Sequence, residues 1–204
     1  PLGMKLGNRI MQAIEMIATL FFHKIIYGII LLLSTLVLGV VYPFEPRHVP
    51  FMNIFLVTMP TIMWTLFPPL PRHRISPKTF WKDTLFTVAP IAVISGIVVA
   101  LSYYRIHPDD PTGVATTTVL IATFFGVYLV FLMSRMFKVI NNRTARLARI
   151  LYVLSVAFVI TVSFGFGFAR EFFDFSTPAW RDLWPLLLLI ILAMSVQWIL
   201  ASRR

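Results

Sequence analysis

The sequence predicts an all-α polytopic membrane protein with six transmembrane helices, and three observations carry that prediction. Of 204 residues, 58% are hydrophobic and only 13% are charged, against about 25% charged in soluble domains. Six segments meet or approach the roughly 20 mainly apolar residues that a spanning helix needs, namely 22–42, 51–67, 84–104, 115–137, 150–168 and 183–200. The third observation is how charge is sorted between loops. The amino terminus, the second and fourth loops and the carboxyl terminus hold 14 of the 18 Lys and Arg residues against only Glu15 and Asp83. The first, third and fifth loops hold Arg47, Arg105, Arg170 and Arg181 with the other six acids. Retention of Lys and Arg on the cytoplasmic side puts both termini in the cytoplasm and the acidic loops outside.

The same sorting accounts for the formal charge of +10. Its basic residues are dispersed at membrane edges, which argues for a lipid bilayer and against a nucleic-acid surface.

The first helix begins before the membrane does, because Ile10, Ile14 and Ile17 recur at helical spacing from Asn8 onward. Nothing breaks it before Val41 except the tolerable Gly28 and Gly39. About 35 residues make a helix of some 50 Å, about 20 Å longer than the hydrocarbon core, so the excess should extend into the cytoplasm as a stalk. Pro1 to Gly3 resemble the remnant of a cleaved purification tag and are set aside, leaving 4–204 as one six-helix membrane domain.

"YPFEPRHVP", Tyr42 to Pro50, reads as a tight outer turn, since its three prolines cannot continue a helix. The second span returns inward to the basic, proline-rich "FPPLPRHRISPKTFWKD". A third span leads to the outer turn "RIHPDDPTG", a fourth to the inner loop "KVINNRTARLAR", a fifth to the outer loop "AREFFDFSTPAWRD", and the last to "ASRR".

Covalent chemistry finds little support. The chain has no cysteine, hence neither disulfide nor thiolate metal site. It has no phosphate-binding glycine loop and no His-Glu-x-x-His pair. His23, His48, His73 and His107 fall at predicted membrane edges or in loops, where a solvated role outweighs metal ligation. Lys24, the one charge inside a span, should snorkel to the inner edge. Gln197 suits interhelical packing more than ligation, and Thr116 to Thr118 should bond their own backbone or start a helix.

The stretch "NIFLVTMPTIMWTLFPP", Asn53 to Pro69, combines more signals. Pro60 has no N–H and its ring displaces the Leu56 carbonyl, so the helix should kink or unwind between them. Asn53 lies two turns before Pro60 on the same face, with Val57 between, while Thr58, Thr61 and Thr65 form a second polar stripe. A freed Leu56 carbonyl beside Asn53 and Thr58 could hold a cation, as discontinuous transporter helices do. A proline kink kept for packing fits the same residues.

The order of these features resembles the carboxyl-terminal membrane half, the fifth to tenth helices, of cation-translocating P-type ATPases. The resemblance is carried by "GNRIMQAIEMIATLFFHKIIYGIILL", a proline-rich outer turn and "NIFLVTMPTIMWTLFPPLPRHR", and "AREFFDF" is similar to the bacterial calcium-transporting branch. It implies a multi-pass protein of the bacterial plasma (inner) membrane that moves a divalent cation, calcium or magnesium. It also implies Asn-x-x-x-Asp-x-x-Pro in the sixth helix: Asn53 and Pro60 match, but Val57 stands at the aspartate. The acidic ligand implied in the fifth helix falls at Gly28. No Asp-Lys-Thr-Gly segment occurs, so this chain would not hydrolyse ATP. ATP, magnesium, the first four helices and the cytoplasmic domains would belong to a full-length pump. The alternative is a stand-alone six-helix protein, possible as a homo-oligomer, with a structural, regulatory or passive-transport role.

Overall fold

The computed structural model describes residues 2–67, 79–106, 111–137, 143–176 and 180–202, with side chains left aside at 2–6, 111–112 and 180–183. Among these residues there are helices and turns and no strand. The helices are α1 (Leu2–Leu38), α2 (His48–Asn53), a π-helical turn (Ile54–Thr58), α3 (Met59–Leu66), α4 (Phe80–Ile106), α5 (Pro111–Met136), α6 (Arg143–Gly165), α7 (Gly167–Phe172) and α8 (Trp180–Ser202). Six stretches are long and apolar enough to cross a membrane, and they mark a multi-pass membrane protein: Gly7–Leu38, His48–Leu66, Phe80–Ile106, Gly113–Met136, Arg143–Gly165 and Trp184–Ser202.

The first helix is as long as its sequence implies but stops earlier, at Leu38 rather than Val41. Gly39 is the reason. It adopts φ +66°, and the Val40 N–H turns back to the Thr35 carbonyl at 3.1 Å, the closing bond of a Schellman cap. Ile10 and Ile14 are exposed, whereas Gln12, Glu15, Met16, Thr19, Leu20, His23 and Tyr27 are buried. This segment therefore turns its polar stripe inward and its isoleucines toward the surroundings, as a helix in an apolar solvent does.

α1 lies along α4, and α4 also packs on α5 and α8. Gly96 permits the α1–α4 approach, since a Cβ there would sit 2.9 Å from Ile30 Cδ1. Gly126 does the same for α5 against the π turn: its missing Cβ would lie 1.5 Å from Leu56 Cδ2. The hydrophobic core has two clusters. One gathers Tyr27, Leu31, Phe51, Phe55, Leu56, Tyr103, Phe125 and Phe175, and the other Met16, Leu20, Met63, Trp64, Leu129, Met133 and Tyr152.

Loops one and five and the first turns of α5 meet at one end. Arg47 bonds Glu45 at 2.7 Å and Asp174 at 3.2 Å, and the Ser176 N–H donates to Thr116 Oγ1 at 3.0 Å. At the other end Gln12 Nε2 donates to the Phe137 carbonyl at 3.3 Å, tying the start of α1 to the end of α5.

Candidate functional site

The second span changes register where proline dictates, but it does not unwind. The Ile54 N–H bonds the Pro50 carbonyl four residues back, and the Met59 N–H bonds the Ile54 carbonyl five residues back. In that wider register Pro60, lacking an N–H, leaves the Phe55 carbonyl without its helical donor, not the Leu56 carbonyl that α-helical counting selects. The Tyr152 hydroxyl of α6 donates to that Phe55 carbonyl at 3.1 Å. A protein donor thus fills the place a cation would take.

The side chains of Asn53, Leu56 and Thr58 have different surroundings. Leu56 is fully buried and its side chain fills the notch at Gly126. Thr58 is exposed on the helix surface. Val57 is half-buried against the core, and Pro60 is buried. Of the second polar stripe, Thr65 Oγ1 donates to the Thr61 carbonyl at 2.8 Å, as a hydroxyl does when it bonds its own helix.

Asn53 faces a cation of a different kind. Lys24 Nζ donates to Asn53 Oδ1, which corrects the expectation that Lys24 runs to the membrane edge. Lys24 lies 14 residues before the end of α1, about 21 Å at 1.5 Å per residue. An amide oxygen within reach replaces the water that snorkelling would otherwise seek.

Beside this pair is a cleft of about 270 Å³ between α1, the turn from Tyr42 to Pro46 and α2. Lys24 and Gly28 line it together with Tyr27, Tyr42, Glu45 and Met52. Gly28 has no atom within 4 Å of where its Cβ would be, so it widens the cleft instead of supplying a ligand. The Tyr27 hydroxyl lies 3.7 Å from Met52 Sδ. Burial pushes the Tyr42 phenol above its usual range, so it stays protonated at neutral pH. At the mouth, the hydrogen bond that the Arg47 guanidinium donates to Glu45 holds Arg47 above its usual range.

Two histidines are buried where solvated ones were expected. The His48 ring stacks on Phe175 at 5.7 Å, and its Nδ1 accepts the Glu45 N–H at 3.1 Å. His23 Nε2 lies 3.0 Å from Ser95 Oγ. His73 and His107 lie outside the described residues. Gln197 packs between helices as expected, giving Nε2 hydrogens to the Ile91 carbonyl and to Ser95 Oγ, each at 2.9 Å. Thr117 and Thr118 bond the carbonyls of Gly113 and Val114 at 2.7 Å. His23 carries a signal of its own in the sequence, as Lys24 does, because ionisable residues in a span are functional candidates by default. Tyr152 carried no such signal, because nothing local says which carbonyl a distant hydroxyl will meet.

Among the described residues, no three His, Cys, Asp or Glu side chains gather as a metal site. Compared with protein-family models, curated proteins and solved structures, the chain matches none.

Proposed function

We propose that this chain is the membrane transport portion of a cation-translocating P-type ATPase, and that Asn53 marks its cation pathway. Both termini would be cytoplasmic and the membrane that of a bacterial cell. The observation that supports this most is one coincidence in one helix: Asn53, a π turn and a buried Pro60 follow one another directly beside that cleft.

Lys24 sets the terms of transport. A divalent cation at 4 Å from an ammonium is repelled by about 8 kcal/mol at an effective dielectric of 20, twice the unit-charge value. Val57 and Gly28 stand in place of carboxylates, and Glu45, the acid that lines the same cleft, is already paired with Arg47. Cargo can therefore reach Asn53 only when the ammonium swings away or loses its proton. Movement of α1 relative to α2 performs that exchange, since one partner of the bond lies on each helix.

Calorimetric titration with calcium, magnesium and manganese tests the pathway in the whole chain held in lipid nanodiscs. Weak or absent binding is expected for the native chain, measurable binding for Lys24→Met, and its loss in Lys24→Met with Asn53→Ala. The ATPase part is tested by the reading frame that contains Met4, where an Asp-Lys-Thr-Gly segment should lie upstream. Phosphoenzyme formation by residues 4–204 alone would sink this reading.

The Lys24–Asn53 bond also favours a second reading, a stand-alone six-helix protein whose polar pair is structural. No heat from any cation in Lys24→Met, together with no upstream phosphorylation segment, would select it.

A further inference from the structure

Lys24 carries a charge that the rest of its cleft does not answer. Its ammonium has three hydrogens, of which one goes to Asn53 Oδ1, a neutral amide oxygen. Among the described residues no carboxylate pairs with it, since the ion pairs there join Arg47 to Glu45 at 2.7 Å and to Asp174 at 3.2 Å. Glu45 is the acid that lines the cleft, and it already has its own cation. A half-buried ammonium left with one neutral acceptor is costly. An anion opposite it offsets that cost and favours the charged form.

The other polar side chains of the cleft offer hydrogens as well. The Tyr27 hydroxyl gives its hydrogen to Met52 Sδ at 3.7 Å, a weak acceptor that a carboxylate oxygen outcompetes. Tyr42 lines the same cleft and keeps its phenolic hydrogen at neutral pH. The rest of the lining is apolar, with Phe44, Val49 and Met52. Gly28 keeps the space open, because nothing lies within 4 Å of its absent Cβ. The cleft, about 270 Å³, is several times a water's share of about 30 Å³ and just below the roughly 300 Å³ at which drug-sized pockets begin. That is more room than a lone inorganic ion fills and enough for a small organic one.

We infer that this cleft binds a small organic monocarboxylate, with its carboxylate on the Lys24 ammonium and its apolar body against Phe44, Val49 and Met52. The inference does not rest on the cation reading. It needs Lys24 where it lies, beside Asn53, whereas a cation needs the ammonium gone, so the two ligands belong to different positions of one side chain. One carboxylate on an apolar body describes both a soluble aromatic acid that arrives from water and a fatty acid that arrives from the bilayer.

The test uses the full chain in lipid nanodiscs at neutral pH with para-fluorobenzoate, followed by fluorine NMR after subtraction of empty nanodiscs. Saturable binding is expected, with para-fluorobenzamide, the uncharged analogue, weaker by about tenfold or more. Lys24→Gln, whose amide can still donate to Asn53, should weaken para-fluorobenzoate by about the same factor. Gly28→Leu leaves the ammonium in place and fills the open cleft, so binding should disappear. Displacement by octanoate supports an acid from the bilayer as the occupant, and resistance to octanoate supports a soluble one. Absence of saturable binding to the native chain overturns the proposal, as does equal binding of the amide. Affinity unchanged in Lys24→Gln or in Gly28→Leu does the same. None of these results bears on cation binding by Lys24→Met, so the two readings fail separately.

Discussion

Pro60 and Pro90 both sit within spanning helices of this protein and have different consequences. Pro90 lies inside α4, which stays α-helical from Phe80 to Ile106, whereas Pro60 follows a full π-helical turn. Pro90 is exposed on the bundle surface and Pro60 is buried within it. The difference teaches that a proline removes a donor but does not choose the remedy. Next to Pro60, Gly126 makes room for Leu56 and Tyr152 supplies a hydroxyl to the Phe55 carbonyl, so the wider register is filled and satisfied. Around Pro90 the hydroxyls serve their own helix: Thr87 bonds the Asp83 carbonyl at 2.5 Å and Ser95 the Ile91 carbonyl at 3.1 Å.

Removing the support of the π turn should break the contrast most visibly. Gly126→Ala places a Cβ inside the volume of Leu56 and should cost about 3 kcal/mol, at the top of the range for overpacking. Thermal unfolding in nanodiscs would show it, and an unchanged midpoint would mean that Leu56 relocates freely. Tyr152→Phe leaves the Phe55 carbonyl buried without its side-chain donor and should cost about 2 kcal/mol by the same measurement.

A double-mutant cycle then sharpens the comparison. Pro60→Ala restores an N–H to the π turn, so in the Tyr152→Phe background it should recover about 1 kcal/mol through renewed bonding of Phe55. Pro90→Ala in that background should show no such coupling, because Tyr152 and Pro90 share no partner. The smallest effect is expected at Gly28→Ala, within about 0.5 kcal/mol, since open space surrounds that position. A larger loss there would place a group in the cleft that the second span needs.

Much of the architecture was legible beforehand because apolar length is a local quantity. All six spans fall where uninterrupted hydrophobic runs put them, and α1 is extended as its pattern implies. The inward face of α1 was not legible. Ile10, Ile14 and Ile17 announce a helix, but a helical period does not say which face packs inward, and Ile10 and Ile14 are exposed while Gln12 and Glu15 are buried. The candidate site was half legible: Pro60 announced a disturbed helix, while its partners come from α1, α5 and α6.

By itself the sequence determined that this chain has six segments apolar and long enough to span a membrane and that its second span lacks one helical donor at Pro60. Hydrocarbon thickness and a missing N–H leave little choice in either matter. Only the tertiary structure decided which groups answer the irregularity. It set Lys24 on Asn53, Tyr152 on Phe55, and His23 with Gln197 on Ser95. The reason is distance along the chain: these partners lie 29 to 102 residues apart, and helix packing alone brings them within a hydrogen bond.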